Sequence, residues 1–376
     1  MFQCIISALV LSYSCIYCAR QLKNTPMAIA AMLFYSLCPW IPKYAIMITK
    51  DTLFADFILL FGIIIHKECI ISKGHFTINK ICIITGLAVS IFLMRKNGIF
   101  VVIFTLIVVL LIYKDCRRKI CMCIAVLAGV YIMYGNVLLP MCGITGGSVR
   151  EALSIPFQQT ARYVKYHDEE VTPEERNAID GVLHYDALGD VYSGTVSDPV
   201  KDTFRVGAGG EELIEYFRTW FIMFFKHPET YATATMNNIY GYFYPVVNNI
   251  LKLYRTSEGS MQNANRDGYF AFSNIYDDIH ICARDLISLY DILWTRLPML
   301  NIFMTSAFYV WMPIICLFLK IINKDKAGLV FAGVYIVLIL TALAGPCNAI
   351  DYERYIFPCI LGFPTILGVA LSGEKK

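Results

Sequence analysis

The sequence has few charged residues for its length, and this scarcity excludes most soluble proteins. Asp, Glu, Lys and Arg make up 16% of the 376 residues, whereas soluble domains have about 25%. Hydrophobic residues reach 57%, and the mean hydropathy is +0.57. A disordered chain is also excluded, because disorder requires low hydrophobicity. These proportions indicate an integral membrane protein.

Motifs of several common activities are missing as well. No Walker-type loop and no G-x-G-x-x-G pattern occurs, so ATP-driven transport and dinucleotide chemistry have no support. The formal net charge of +3, without a clustered basic face, argues against nucleic-acid binding. Most of the 14 cysteines lie in or beside apolar stretches, where thiols behave as small hydrophobic groups. No cofactor is predicted, and a divalent cation is left open.

Long apolar stretches recur along the chain. Crossing the hydrocarbon layer takes about 17–25 apolar residues in a helix. We therefore predict an all-α polytopic membrane protein with about nine transmembrane helices. Their predicted ranges are 1–18, 26–40, 52–66, 80–94, 98–113, 119–141, 299–319, 327–345 and 355–372.

The distribution of Lys and Arg predicts the orientation, because short cytoplasmic loops retain basic residues. With nine alternating spans, one side carries 14 basic residues, and the short loops of the opposite side carry 5. We expect a bacterial cell-membrane protein with its N-terminus outside and its C-terminus in the cytoplasm. Residues 1–18 have no basic leader, so we interpret them as a span and not as a signal peptide.

One polar segment, residues 142–298, interrupts the apolar pattern between spans six and seven. It contains 21 acidic and 13 basic residues, and it is long enough to fold as an extracytoplasmic domain. The sequence Thr172-Pro173-Glu174-Glu175 predicts a capping box at the start of a helix. The chain thus divides into two bundles, 1–141 and 299–376, with a mainly helical domain between them.

A second helix of the polar segment is predicted at 211–226. Its apolar part is short and contains Glu215 and Arg218. These features favour an amphipathic helix at the membrane interface over a tenth span.

Charged residues lie at the predicted outer ends of the spans, where the positive-inside bias should exclude bases. They are Lys50-Asp51, Arg95-Lys96 within the turn Arg95-Lys96-Asn97-Gly98, and Arg354 before the last span. Ionisable residues at a membrane boundary are costly and are therefore often functional. Lys50, Arg95, Lys96 and Arg354 suit a lipid phosphate, and Asp51 suits a general base.

Structural interpretations of the same residues remain open. Lys50 and Asp51 can pair with each other, and Gly98 can adopt a positive φ in an ordinary turn. Arg354 can pair with Glu353 or Asp351.

The polar segment adds amides, bases and tyrosines that suit a hydroxyl-rich ligand such as a sugar. With Asn97 of the outer turn, the candidates for sugar or acceptor binding are Gln158, Gln159, Arg162, Lys201, Tyr242 and Tyr244. The tyrosines are also typical of a membrane-interface belt. Asp277-Asp278-Ile279-His280 is better explained as a solvated acidic turn than as a metal site.

Together these motifs resemble an uncharacterised bacterial multi-pass family and, in architecture, the GT-C superfamily of glycosyltransferases. The resemblance extends over about residues 1–372 and rests on Pro-x-x-Pro…Lys-Asp, Arg-Lys-Asn-Gly, Pro-Phe-Gln-Gln-x-x-Arg, Asp-Pro-Val-Lys, Tyr-Gly-Tyr-x-Tyr-Pro and Arg-Tyr-x-x-Pro. It implies transfer of a sugar from a lipid-linked polyprenyl-phosphate donor to a cell-surface acceptor. The implied partners are the donor and membrane lipids.

In one respect the sequence departs from the GT-C pattern. GT-C enzymes have an essential carboxylate in the first outer loop, after the first transmembrane helix. The chain begins without that helix and loop, so we expect either that its start is truncated or mis-assigned, or that Asp51 supplies the carboxylate. The alternatives are a lipid-linked saccharide flippase or transporter, and a non-catalytic partner in cell-envelope polysaccharide assembly.

Overall fold

In this computed structural model, the described part of the chain is mostly helical, with turns and loops between the helices. The described residues are 1–47, 49–71, 73, 76–144, 149–245, 286, 289–345 and 352–372. Over these ranges there is no β-strand, and extended pairing is limited to an isolated bridge between Leu183 and Phe204. The prediction of an all-α protein is confirmed over these ranges.

The helices fall into an apolar set and a polar set. The apolar helices are α1 (Phe2–Arg20), α2 (Thr25–Leu37), α3 (Trp40–Ile46), α4 (Lys50–Ile71), α5 (Ile78–Met94), α6 (Gly98–Ile112), α7 (Arg117–Met133), α8 (Leu139–Met141), α15 (Ser306–Ile322), α16 (Lys326–Leu343) and α17 (Tyr352–Leu371). The polar segment forms α9 (Ser154–His167), α10 (Pro173–Asp180), α11 (Tyr185–Val191), α12 (Asp198–Lys201), α13 (Gly210–Lys226) and α14 (Pro228–Ile239).

Several of the apolar helices are long enough to cross a membrane, which indicates a membrane protein. Among the described residues, four stretches qualify by length and composition, namely α1, α16, α17 and the continuous stretch Lys114–Met141. A fifth is obtained if α2 and α3, which meet at a 56° bend, form one broken span. The nine predicted spans are not all reached. Helices α5, α6 and α15 have only 15–17 residues, and α4, although it has 22 residues, carries too many charged residues to qualify.

Helix α4 shows why the apolar pattern alone misjudged the bounds. It was predicted at 52–66 but runs for 22 residues, from Lys50 to Ile71. The additional turns carry Lys50, Asp51, Lys67 and Glu68. Charged residues can extend a helix when partners within the protein compensate them, as described below.

Helix α4 lies in the middle of the bundle, where it contacts α1, α5, α16 and α17. One end of the bundle, called the Asp51 end, contains the starts of α4 and α17 and the end of α5. The opposite end, called the Lys320 end, contains Lys320, Asp325 and Ser372. There the Nζ of Lys320 lies 3.1 Å from Asp325 Oδ2 and also donates to the Ser372 carbonyl oxygen.

The polar helices have a hydrophobic core of their own. Phe157, Tyr163, Leu183 and Tyr216 are fully buried within it. The predicted capping box is confirmed, because Thr172 Oγ1 accepts from the Glu175 amide and Glu175 Oε2 accepts from the Thr172 amide at 3.0 Å. We call residues 149–245 the outer domain.

One surface of α13 is apolar and exposed. Tyr216, Thr219 and Met223 face the core of the outer domain. The opposite surface exposes Ile214, Phe217, Phe221, Ile222 and Phe225. A helix with such a face is typical of one that lies in a membrane interface.

The outer domain contacts the bundle through the turn Tyr240–Tyr242, which packs on α15. The ring of Tyr242 lies edge-on against Tyr352 of α17, at a centroid distance of 4.7 Å. Tyr352 in turn donates from its hydroxyl group to the carbonyl oxygen of Asn238, at 2.9 Å. A Cβ atom at Gly241 would overlap the Tyr352 ring, so this approach requires glycine.

The first prediction concerns the exposed face of α13. A photo-crosslinking phenylalanine analogue at Phe221, in the chain reconstituted in liposomes, should form lipid adducts that mass spectrometry detects, since this face would touch the membrane. The same analogue at Val206, which is 96% exposed but outside α13, is the control. Equal adduct yields at the two positions would reject the interfacial placement.

The second prediction concerns Gly241. The Gly241→Ala substitution should displace Tyr352 and destabilise the protein by about 1–3 kcal/mol, the usual cost of overpacking. Gly210→Ala is the matched control, because a Cβ at that position meets nothing within 4 Å. Thermal unfolding in detergent measures both, and equal melting temperatures for the two variants would contradict the proposed close packing.

Candidate functional site

Asp51 binds two arginines at the Asp51 end of the bundle. Arg95 Nε donates to Asp51 Oδ1 at 2.7 Å, and a terminal nitrogen of Arg95 contacts the same oxygen. Arg354 Nε donates to Asp51 Oδ2 at 2.6 Å. The carboxylate is only 1% exposed. The structure thus brings together three of the predicted site residues.

Each member of this cluster comes from the end of a different helix. Asp51 lies in the first turn of α4, where the helix dipole favours a negative charge. Arg95 follows α5 in an extended conformation, with φ −143° and ψ 128°. Arg354 lies in the first turn of α17. The cluster therefore fixes three helix ends relative to one another.

The two arginines differ in their exposure. The side chain of Arg95 is 10% exposed and lies over the rings of Phe54 and Tyr355, whose centroids are 5.5 and 5.6 Å from its guanidinium carbon. The side chain of Arg354 is 42% exposed. A ligand that approaches from the solvent can therefore reach Arg354 more easily than Arg95.

The remaining predicted residues of this end are more exposed. Lys50 and Lys96 are exposed, and Asn97 is half-buried at the start of α6. The alternative in which Lys50 pairs with Asp51 does not account for the contacts of Asp51, since both carboxylate oxygens of Asp51 bind arginine. Asp351 lies outside the described residues, as does the motif Asp277–His280.

The turn at Gly98 differs from the structural interpretation given above. Gly98 does not have a positive φ. Instead, a Cβ atom at this position would lie 2.7 Å from Ile91 Cγ2 and 2.9 Å from Phe54 Cε2. Glycine is needed here for close packing between α4, α5 and α6.

Sequence reasoning missed two buried ionisable residues near the cluster. Lys43 of α3 is 2% exposed, with its Nζ 4.2 Å from the centroid of the Trp40 ring. Glu353, next to Arg354, is 3% exposed and accepts from Ser306 Oγ at 3.1 Å. In the sequence, these two residues could have been found only because a charge next to an apolar segment is costly and therefore often functional.

Among the described residues of α3 to α6 and of α17, basic side chains outnumber carboxylates at the Asp51 end. The bases are Lys43, Lys50, Arg95, Lys96 and Arg354, and the carboxylates are Asp51 and Glu353. Guanidinium groups suit phosphate because their planar array of donors matches two of its oxygens. The arrangement can therefore bind an anionic group and can position a carboxylate next to it.

The two predicted glutamines form hydrogen bonds within the outer domain. Gln158 Nε2 donates to the Val196 carbonyl oxygen at 2.7 Å. Gln159 donates to Thr235 at 2.9 Å and accepts from Trp220 at 3.1 Å.

Two basic candidates are also bound within the outer domain. Arg162 donates to the Tyr192 hydroxyl at 3.3 Å. Lys201 is 5% exposed and lies between Asp198 and Glu151, at 2.6 and 2.8 Å. Burial by itself would lower the pKa of Lys201, but the hydrogen bonds to Asp198 and Glu151 raise it above the usual value.

The two tyrosine candidates differ. Tyr242 is fully buried against Tyr352, and Tyr244 is 65% exposed. Tyr242 is thus the outer-domain candidate whose contacts lead to the Asp51 cluster. The sugar-binding role of all these side chains stays a prediction.

Comparison with known proteins adds one finding. No curated protein and no solved structure matches the chain. A model described as a family of unknown function, DUF6020, matches residues 1–375. The chain therefore belongs to the family DUF6020, whose function is unknown.

Proposed function

We propose that this protein is a membrane-embedded glycosyltransferase of the GT-C kind. It transfers a sugar from a lipid-linked polyprenyl phosphate to an acceptor at the outer face of a bacterial cell membrane. The observation that carries the proposal is the binding of Asp51 by Arg95 and Arg354, from three helix ends.

The position of the cluster supports a lipid-phosphate donor. The phosphate of such a lipid lies at the membrane interface, and its apolar tail lies among the helices. The cluster lies at the ends of α4, α5 and α17, whose middle parts are largely apolar, with Asp56 and His66 of α4 as exceptions. Exposed Lys50 and Lys96 flank it and add positive charge.

The contacts of Asp51 suggest how its role depends on the donor. Both carboxylate oxygens of Asp51 are occupied by guanidinium groups, so neither is open to an acceptor hydroxyl group. When a donor phosphate binds Arg354, the Arg354–Asp51 contact is replaced and one carboxylate oxygen becomes available. Asp51 then acts as the general base.

The chemical step follows from these roles. Asp51 takes the proton of the acceptor hydroxyl, and the acceptor oxygen attacks the anomeric carbon of the sugar. The bond between that carbon and the phosphate oxygen breaks, and the lipid phosphate leaves with the electron pair. Arg354, Arg95 and the flanking lysines stabilise the negative charge of the leaving group.

The topology forms part of the proposal. We propose nine spans, of which the shorter helices α2, α5, α6 and α15 provide several. The excess of Lys and Arg at the Lys320 end favours a cytoplasmic location of that end. The Asp51 cluster and the outer domain then share the outer face.

A second candidate, a flippase for a lipid-linked saccharide, has its own supporting observation. A cavity of about 890 Å³ opens at the Lys320 end, next to Lys23, Lys73, Lys114 and Lys326. Buried Asp56 and His66 lie along α4 between the two ends. Ionisable residues inside a bundle are typical of transport paths. Movement of labelled lipid-linked sugar across proteoliposomes, without transfer, would favour this candidate.

The third prediction tests the roles of Asp51 and Arg354. With C55-polyprenyl-phosphate sugar in proteoliposomes, Arg354→Ala should lower both donor binding and transfer, the latter by about 10²-fold, as for loss of one charge-stabilising donor. Asp51→Asn should lower transfer by about 10²–10⁴-fold. The same substitution should nevertheless strengthen binding of C55-polyprenyl phosphate. In Asp51→Asn, phosphate binding no longer has to break the ion pairs between the arginines and a carboxylate.

The control for this prediction is Glu68→Gln. It makes the same chemical change in α4, in a carboxylate that pairs with Lys80 at 2.8 Å near the other end of the helix. Glu68→Gln should leave binding and transfer unchanged. Weaker donor binding by Asp51→Asn would indicate a purely structural role for the carboxylate, and unchanged transfer would reject it as the base.

The fourth prediction concerns orientation. In intact cells, a membrane-impermeant maleimide should label Val206→Cys above the level of the wild-type chain, because the outer domain is outside. Asn323→Cys, in the exposed loop between α15 and α16, should be labelled only after permeabilisation. The reverse pattern would place the outer domain in the cytoplasm and reject the proposed topology.

A further inference from the structure

The outer domain contains a second cluster of ionisable side chains, away from the Asp51 end. His167 is the last residue of α9, Glu170 lies in the short 3₁₀ turn that follows, and His227 lies between α13 and α14. Both histidine side chains are about one-fifth exposed, at 22% and 21%. A solvent-borne ligand can therefore reach them.

The three side chains converge on one point. Glu170 Oε2 lies 2.8 Å from His227 Nε2, and Glu170 Oε1 lies 3.6 Å from His167 Nδ1. One nitrogen or oxygen from each of the three residues lies within 4.8 Å of the others. Zinc–nitrogen and zinc–oxygen distances are about 2.0–2.2 Å, so shifts of about an ångström would place these atoms around one ion.

The outer contacts of the histidines provide independent support. His227 Nδ1 lies 3.1 Å from Glu229 Oε1, and His167 Nε2 lies 2.9 Å from Thr230 Oγ1. Each imidazole thus has one nitrogen held by an oxygen of α14 while the other faces Glu170. Metal-binding histidines usually have such a partner on the second nitrogen, which fixes the ring and its tautomer.

From this geometry we infer that His167, Glu170 and His227 form a binding site for Zn²⁺. Two imidazoles and one carboxylate are ligands that borderline metals prefer, whereas Mg²⁺ and Ca²⁺ prefer oxygen ligands alone. Three protein ligands leave a fourth position for water or a further ligand. The bound ion links the end of α9 to the junction of α13 and α14.

The alternative is a proton in place of the metal. In that case His227 shares a proton with Glu170, and the hydrogen bond to Glu170 raises the pKa of the imidazole above its usual value. The rings of His167 and His227 stack face to face at 3.8 Å. The proton arrangement fits this stacking directly, whereas a shared ion requires one ring to rotate out of the stack, because a metal lies in the plane of each imidazole that binds it. Binding of the metal therefore has to be measured directly.

The experiment uses the full chain in detergent, freed of metal and then titrated with Zn²⁺. We expect one zinc ion per chain by calorimetry and a rise in melting temperature as zinc is added, because the ion binds the folded state. Co²⁺ in the same site should give visible absorption bands with the intensity of a tetrahedral site. Absence of both saturable Zn²⁺ binding and these bands would overturn the inference.

Variants separate this site from adventitious binding. His227→Gln and Glu170→Gln should each remove the Co²⁺ bands and the zinc-dependent rise in melting temperature. Glu229→Gln should keep the bands but weaken zinc binding by about 10–100-fold, as for other outer partners of metal-bound histidine.

His184→Gln is the matched control, because His184 is an exposed histidine of the same domain outside the cluster. It should change nothing. Equal losses of zinc binding in His184→Gln and His227→Gln would show non-specific surface binding and reject the site. The measurements of Zn²⁺ and Co²⁺ binding do not depend on transfer activity. They can therefore support or reject the zinc site whether or not the protein is a glycosyltransferase.

Discussion

The pairing of Asp51 with Arg95 and Arg354 is the constraint on which the Asp51 end of the bundle depends. A carboxylate that is 1% exposed needs partners, and removal of one partner from a buried pair typically costs about 3–5 kcal/mol. The pairing therefore fixes where α4 and α17 begin and where α5 ends. Well-packed apolar side chains would often give equal stability, so ligand binding explains the charges better than stability does.

The same pairing decides which chemistry is available at this end. Arg95 is enclosed between Phe54 and Tyr355, while Arg354 is partly exposed. A phosphate that reaches the cluster from the interface therefore competes with Asp51 mainly for Arg354. In the proposed mechanism, binding of the anion releases the carboxylate, so Asp51 can act as a base only when the donor is bound.

The sequence predicted the residues of this cluster but not their contacts. Basic residues at the outer ends of apolar spans drew attention to Arg95 and Arg354, since alternating spans bring such residues to one face. The pairs themselves join positions 44 and 303 residues apart, and no local pattern encodes contacts at that separation. The capping box of Thr172 was predictable because both of its hydrogen bonds lie within one turn.

Two further features were hidden for the same physical reason. Gly98 resembles a turn glycine in the sequence, yet its role depends on the neighbouring Ile91 and Phe54 side chains. His167 and His227 are 60 positions apart, without the close ligand spacing of a zinc motif, and only the packing of α9 against α14 brings them together. Roles that depend on contacts between helices can be assigned only from the packed structure.

The contacts of Tyr352 connect the outer domain to the cluster. Tyr352 donates to the Asn238 carbonyl oxygen of α14, lies against Tyr242, and stands two residues before Arg354. A displacement of α14 therefore acts on the first turn of α17, where Arg354 is held. Since His227 immediately precedes α14, an ion bound there would stiffen the opposite end of the same helix. Binding of a ligand or of the proposed metal in the outer domain thus has a direct structural route to Arg354, the arginine that is proposed to bind the donor phosphate.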